Sequence, residues 1–221
     1  MDSFLKKTDL QKIGLRKFGE NVLVSKHCQI YKPSEISIGS NVRIDDFVVI
    51  TGPVIIGSNV HIAAGSMLFS KEKPIIIDDY VGVSSGVKIY TITDDYSGEY
   101  LTNPTVDSSK RNVIEKPVFL KSHCIVGASS VIMPGTTLGE GSAIGSMSLV
   151  RESTRAWSVY VGIPAKLKKK RSKKFPLTRL QGTTASETAK VLENTYRALN
   201  IAFIAEWSRF AEEVGIDLFE V

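Results

Sequence analysis

Between Leu120 and Val150 an aliphatic residue stands at every sixth position: Leu120, Val126, Ile132, Leu138, Ile144 and Val150. An earlier ladder with the same period runs through Ile38, Ile44, Ile50, Ile56, Ile62 and Leu68. Four residues after most rungs comes a small or β-branched residue: Val42, Val48, Val54, Val60 and Ser66, then Cys124, Ser130, Thr136, Ser142 and Ser148. Period six matches neither the 3.6 of a helix nor the two of a simple strand, so it predicts a repeat architecture. Each unit reads as a short strand and a tight corner, and three units make a coil that closes a triangular prism. The triplets Gly39-Ser40-Asn41 and Gly57-Ser58-Asn59, one such coil apart, agree with that turn length. The rungs then stack inside the prism, and each coil depends on its neighbours for a continuous core. The predicted fold class is all-β, a parallel β-helix of hexapeptide repeats.

The ends and the breaks of the ladder divide the chain. Thr8-Asp9-Leu10-Gln11 reads as a capping box opening a short helix through Lys17, with Leu10 and Ile13 on one face. Residues 1–20 are therefore expected to cap the open end of the prism, whose first coil would otherwise expose strand edges. Coils are expected over 21–165, starting near Val22 with Val24, Ile30 and Ile36, and a two-residue slip resets the phase at Ile38. Ser70 to Pro74 is a small insertion before the rungs Ile77, Val83 and Ile89. After Ile89 the ladder stops and resumes at Leu120. The intervening segment, 90–117, is rich in Asp, Ser, Thr and Pro, and is expected to be a loop extruded from one corner. Long excursions from a regular scaffold commonly carry function. Residues 166–183 read as a basic linker. Over 184–221 the texture changes to helix, with an apolar stripe through Ala189, Val191, Leu192, Tyr196, Leu199, Ala202 and Ile204.

Charge changes meaning once it is located. The net charge of +5 contains seven positive charges between Lys166 and Lys174, and removing those seven leaves −2 on the rest of the chain. A basic connector, not a basic body, sets the balance. Interleaved aromatics or a base-reading motif are absent, so a nucleic-acid partner is not expected. No apolar run of membrane-spanning length or leader character occurs, and the two cysteines, Cys28 and Cys124, lack metal-ligand spacing. These features fit a cytoplasmic protein without a disulfide framework.

The ladder, together with the ending Gly162-Ile163-Pro164-Ala165-Lys166, resembles the left-handed β-helix of hexapeptide-repeat acyltransferases, specifically the galactoside and maltose O-acetyltransferase-like group. The left hand comes from that resemblance, because parallel crossovers are ordinarily right-handed. The resemblance implies a homotrimer with active sites between subunits, acetyl-CoA as cosubstrate, and a sugar or nucleotide-sugar acceptor, in surface polysaccharide (lipopolysaccharide) biosynthesis. The segment from Glu187 to Ala202, continuing to Asp217, is similar to the central helix of nucleotide-sugar dehydrogenases. Lys190 and Asn194 match that family's active-site Lys and Asn. The Gly-x-Gly-x-x-Gly motif and the catalytic-cysteine segment of those enzymes are missing, so this piece is not expected to oxidise anything by itself.

In the acyltransferases that the chain resembles, a loop histidine deprotonates the acceptor hydroxyl. Here the ladder phase places Asp94 at that position, in Thr93-Asp94-Asp95-Tyr96, and the loop contains no histidine. Three readings stay open. Asp94 acts as the base, its pKa raised by Asp95 and by burial at a subunit interface; or the acceptor is an amine that a carboxylate need only orient; or the site is inactive. Catalytic candidates are thus Asp94, Asp95 and the outward-facing His61, and Tyr96 and Glu99 are candidates for binding the acceptor. The resemblance assigns the coenzyme to Gly127, Ala128, Ser129, Gly145 and Ser146, with Lys166 meeting its phosphates. His27, His61 and His123 fall in separate coils, so no metal is expected. The expected activity is sugar O-acetylation. N-acetylation of a nucleotide-linked amino sugar and a non-catalytic trimeric scaffold are the alternatives.

Overall fold

The computed structural model describes residues 3–173. The expected connector beyond Lys173, the helical extension and its dehydrogenase-like residues Lys190 and Asn194 lie outside the described residues. Three sheets of six, eight and six strands, parallel except for the last strand of the eight-stranded one, form the three faces of a prism. Representative strands of one coil are Val54–Ile56, His61–Ile62 and Met67–Phe69, one on each face. The next coil supplies Ile75–Ile77, Gly82–Val83 and Lys88–Tyr90 in the same order. Register is rung on rung: Ile44 pairs with Ile62, Ile62 with Val83, Val83 with Val126, and Val126 with Ile144. The rungs from Ile36 onward are buried, as are the second inward positions from Val42 through Ser148, while Ile30 in the first coil is only half-buried. The six-residue period therefore marks two inward positions per unit, one filled by an aliphatic and one by a small or β-branched residue.

Long side chains are excluded from the second position because the corners are crowded. Cys124 is buried there, beside the carbonyl of Gly139 at 3.1 Å. Burial pushes its thiol up to about 11, which fits a packing residue, not a nucleophile. At the first corner the coils interlock through side chains. Ser40 Oγ accepts from the Glu20 amide (3.1 Å), Ser58 Oγ from the Ser40 amide (3.1 Å), and Asp79 Oδ1 from the Ser58 amide (2.6 Å). Left-handed backbone at that corner is occupied by Asn21, Asn41 and Asn59, whose amides form a ladder, and then by Tyr80, His123 and Trp157. The Tyr80 and His123 rings stack at 5.1 Å, and Trp157 tilts against His123 at 6.1 Å.

Both ends of the prism differ from expectation. The N-terminal helix spans Lys7–Ile13 and buries Leu10, but its N-cap is Lys6, without a side-chain cap, so the Thr8–Gln11 capping box does not form. Gly14, in the left-handed conformation, ends the helix, and Lys17–Phe18 pairs with Ile36–Ile38 as the outermost strand of the first face. The first coil thus starts earlier than Val22, because the alternation of Lys17 and Phe18 is too short to be read as a strand without its partner. The phase slip before Ile38 is a 3-10 turn, Pro33–Glu35.

At the other end the basic run is not a plain connector. Lys166–Lys170 forms a strand antiparallel to Ser158–Val161, the last strand of the second face. Lysines at four of its five positions blunt an edge that would otherwise recruit another chain. Arg171 pins this strand: its Nη1 donates to the carbonyls of His123 and Gly141, each at 2.9 Å, and its amide donates to the Trp157 carbonyl at 2.7 Å. Replacing Arg171 with Ala removes charge-assisted bonds of the kind worth about 1.5–3 kcal/mol. The expected result is faster amide hydrogen exchange confined to 166–170, with protection in the middle coils unchanged.

Among the described residues no helix is long and apolar enough to cross a membrane.

Candidate active site

The excursion leaves the third corner as an antiparallel stem, Ile92–Thr93 paired with Ile114–Glu115. Its geometry is set by its own polar residues. Glu115 Oε1 accepts from the amides of Glu72 and Lys73, at 2.6 and 2.8 Å, tying the stem to the Ser70–Pro74 insertion. Asp95 accepts from the Ser97 amide and from Asn112 Nδ2, both at 2.6 Å. The bonds from Ser97, then that from Asn112, hold its carboxyl below the usual range. Asp95 is thus a fastener joining the two limbs of the loop. Asn103 accepts from Thr105, and Asp107 caps the 3-10 turn Ser108–Lys110. The segment rich in Asp, Ser and Thr is therefore an ordered loop, built from side-chain-to-backbone turns.

At the foot of the stem lies a cavity of about 370 Å³ lined by Tyr90, Ile92, Thr93, Asp94, Tyr96 and Met133. Tyr90 stacks on Phe69 with ring centroids 5.3 Å apart, which fixes one wall. Burial, then the neighbouring Tyr96, raises the Tyr90 pKa, so its hydroxyl remains a donor at neutral pH. Asp94 is half-buried at this site and Tyr96 is almost fully exposed. Of the candidates in the loop, Asp94 and Tyr96 share the cavity. Glu99 sits outside it, its amide bonded to Ser97 Oγ at 3.1 Å.

His61 belongs to a second cavity, on the second face. This groove, about 270 Å³, is lined by His61, Ala63, Gly82, Ser84, Ser85 and Ile125, with Val83 beneath. Its imidazole is held from behind: His61 Nε2 lies 2.8 Å from Asp45 Oδ2, and Arg43 Nε donates to Asp45 Oδ1 at 2.7 Å. Burial raises the Asp45 pKa, but the hydrogen bonds and charges of Arg43 and His61 outweigh it and hold the carboxyl below its usual range. Its pKa being lower folded than unfolded, Asp45 contributes stability that is fully present above the unfolded value, near pH 3.9, and is lost as pH falls through the lower folded one. Asp45→Asn should therefore lower the melting temperature at neutral pH. The gap from wild type should close as the solution is acidified below about pH 4, which a melting series across pH would read.

The residues assigned to the coenzyme line up along the second corner. Gly127, Ala128 and Ser129 belong to one coil and Gly145 and Ser146 to the next, with the Ser129 amide donating to the Ser85 carbonyl at 2.9 Å. Packing alone accounts for both glycines. A Cβ on Gly127 would lie 2.4 Å from the Ser146 nitrogen, and one on Gly145 would lie 2.7 Å from Val161 Cγ1. Lys166 lines a third cavity, about 220 Å³, with Arg151, Glu152, Pro164 and Ala165. Among the described residues no group of three or more His, Cys, Asp or Glu side chains is placed to hold a metal.

Sequence reasoning missed Arg43 and Asp45 as partners of His61. The signal was present, since Arg43 and His61 are one coil apart and adjacent across the second face. It also missed Tyr90 and Met133, which reach one cavity from either side of the break in the ladder, and the serines beside Gly82.

Comparison with known proteins agrees with this architecture. Residues 35–70 match the bacterial transferase hexapeptide (six repeats) model, and residues 184–221 match that of the UDP-glucose/GDP-mannose dehydrogenase family, central domain. The chain is 42% identical over 176 residues to a dTDP-4-amino-4,6-dideoxy-D-glucose acyltransferase of Escherichia coli, covering 78% of this chain and 91% of that protein. It is 27% identical to the putative lipopolysaccharide biosynthesis O-acetyl transferase WbbJ of E. coli K12, over 65% of this chain and 76% of the other. The crystal structure of AntD, an N-acyltransferase from Bacillus cereus, in complex with dTDP and 3-hydroxybutyryl-CoA, superimposes with a TM-score of 0.77 at 40% identity. That match covers 90% of this chain and all of the other. With such identity along nearly the whole prism, the chain belongs to the hexapeptide-repeat acyltransferases, enzymes of the left-handed β-helix fold.

Proposed function

We propose that this enzyme transfers an acyl group, with acetyl-CoA as the donor, to the amino group of a nucleotide-linked amino sugar. The observation that carries this reading is a half-buried carboxylate, Asp94, in the cavity at the foot of the loop, where the resemblance calls for an imidazole. A hydroxyl must lose its proton as it attacks, which demands a base matched to neutral pH. A free amine is already a nucleophile. Its nitrogen attacks the thioester carbonyl, the C–S bond breaks, and the thiolate leaves. Asp94 orients the N–H bonds and receives the proton released as the amide forms. The sequence alone leaned to an oxygen acceptor; the 42% identity to an amino-sugar acyltransferase and the 40% identity to an N-acyltransferase favour nitrogen.

Asp94 and Tyr96 form the acceptor side, and the second corner from Gly127 to Ser146 borders the pantetheine arm. Lys166 and Arg151 meet the phosphates as mobile charges. Each of the cavities is open on the surface of one chain, and a homotrimer that closes them between subunits completes the site. The product would serve a surface polysaccharide. The Asp45–His61 pair favours one second reading, O-acylation, because an imidazole oriented by a carboxylate is a competent base for a hydroxyl.

Thiol release from acetyl-CoA, measured with dTDP-4-amino-4,6-dideoxyglucose and with its 4-hydroxy counterpart, separates the two. Release only with the amine, and an alkali-stable product, supports N-acylation. Release only with the hydroxyl sugar moves the base to His61.

A further inference from the structure

Along the outward side of the second face, residues of successive coils stack in register: Arg43, His61, Gly82, Ile125 and Ala143. Gly82 alone in this column has no side chain. Glycine in a strand is unfavourable unless backbone geometry or a close neighbour requires it. Neither applies at Gly82. Its φ lies outside the left-handed region, and a Cβ there would meet nothing nearer than Ile125 Cγ1 at 3.9 Å, an ordinary contact. The contrast with other glycines of the prism is sharp. A Cβ on Gly39 would come within 2.6 Å of the Gly57 backbone, and one on Gly57 within 2.9 Å of the Asp78 carbonyl carbon. Those glycines are demanded by coil stacking and Gly82 is not.

What the missing side chain leaves is a slot one coil thick. Neighbouring strands are about 4.8 Å apart, so the layers of His61 and Ile125 are separated by roughly twice that, with one empty layer between. A ring lying in that layer sits about 4.8 Å, one strand spacing, from each wall. The walls are unlike each other: an imidazole anchored by Asp45 and Arg43 on one side, and the exposed Ile125 side chain on the other. Ser84 and Ser85 line the same groove. An apolar wall facing polar groups suits a deoxy sugar, which presents both a methyl-bearing face and hydrogen-bonding groups. The groove also adjoins the second corner at the coils preceding Gly127, so it continues the path assigned to the donor's arm on the side away from Lys166.

We infer that Gly82 is a specificity-determining residue: the side chain it lacks leaves a slot between His61 and Ile125 that receives the sugar ring of the acceptor, whose amino group meets the Asp94 cavity of a neighbouring subunit in the homotrimer proposed above. This rests on the N-acyltransferase reading above. A Cβ at position 82 makes only an ordinary contact with Ile125 Cγ1, so a small side chain there projects into the slot with no clash at its base.

The test is Gly82→Ala and Gly82→Val, assayed with dTDP-4-amino-4,6-dideoxyglucose and acetyl-CoA, with free dTDP as competitive inhibitor. Both variants should melt at or above the wild-type temperature, because a side chain replaces glycine in an unstrained strand. The KM for the nucleotide sugar should rise about tenfold for Ala and further for Val. The KM for acetyl-CoA and the inhibition constant of dTDP should stay within about twofold; a tenfold change is 1.4 kcal/mol of binding. An unchanged acceptor KM in an active, folded Gly82→Val overturns the inference and leaves the N-acyltransferase reading standing. Weakened dTDP inhibition in step with the acceptor KM puts the base in the slot, and a rise in acetyl-CoA KM alone puts the donor there; either overturns the sugar assignment. Absence of wild-type turnover with the amino sugar sinks the reading itself and this inference with it.

Discussion

Replacing Asp94 by Asn is expected to lower kcat for the amino-sugar acceptor by at least about tenfold, toward the 10²–10⁴-fold range of a lost general base. The substitution keeps the shape of a side chain that lines the cavity with Tyr90, Thr93 and Tyr96, and removes the charge proposed to accept the proton. Acceptor KM should change less than kcat, since an amide still accepts one hydrogen bond from the substrate amine. The companion variant Asp95→Asn tests a different role. Asp95 spends its oxygens on Ser97 and Asn112, so its loss should loosen the loop, raise KM and leave the chemical step nearly intact. Steady-state kinetics of the pair, with circular dichroism as the check on folding, distinguish the two. Wild-type turnover in Asp94→Asn would move proton transfer elsewhere, and His61→Ala would then be expected to abolish it.

The largest effect on stability should come from a rung of the ladder. Ile62→Ala is expected to destabilise the prism by about 2–5 kcal/mol, the usual cost of truncating a fully buried aliphatic to Ala. Ile62 is completely buried and lies between Ile44 and Val83 in strict register. The coils above and below are locked to it by backbone hydrogen bonds, including Asp45 N to Ile62 O at 3.0 Å and Ala63 N to Val83 O at 2.9 Å. The cavity therefore cannot collapse by sliding one coil against another. His61→Ala, one residue earlier and facing outward, loses only a surface hydrogen bond to Asp45 and should shift the denaturation midpoint far less. Denaturant unfolding of the two variants compares adjacent residues on opposite sides of one strand. A small loss for Ile62→Ala would mean that the ladder does not bear the stability of the prism.

The scaffold was legible in the sequence because its core is one-dimensional. Except across the Ser70–Pro74 insertion and the 90–117 loop, each rung contacts rungs one coil away at a constant separation along the chain, so burial imprints a period that can be counted. The second inward position, from Val42 to Ser148, was legible for the same reason. The ends were harder, because a terminal coil has a neighbour on one side only and its pattern relaxes. Lys17–Phe18 became a strand through pairing with Ile36–Ile38, and Lys166–Lys170 through pairing with Ser158–Val161. Neither pairing leaves a period to count. The lysine run illustrates the ambiguity well, since a solvated linker and a guarded sheet edge call for the same residues.

The candidate site was legible only where the ladder failed. The break after Ile89 located the loop, and the phase at the break pointed to Asp94. Which of the adjacent Asp94 and Asp95 faces a cavity depends on Asn112, far along the excursion, and no local pattern encodes that pairing. Likewise, His61 could be read as outward-facing, but Asp45 and Arg43 as its supports required the coils to be laid over one another. Sequence by itself determined the prism, its two inward positions and the place where it is interrupted, because those follow from hydrophobic burial repeated at a constant interval. Tertiary structure decided which carboxylate faces the cavity, what holds the imidazole, and which glycine is left unexplained by packing. Those depend on side chains meeting across coils, where the direction of a few hydrogen bonds counts and no period records it.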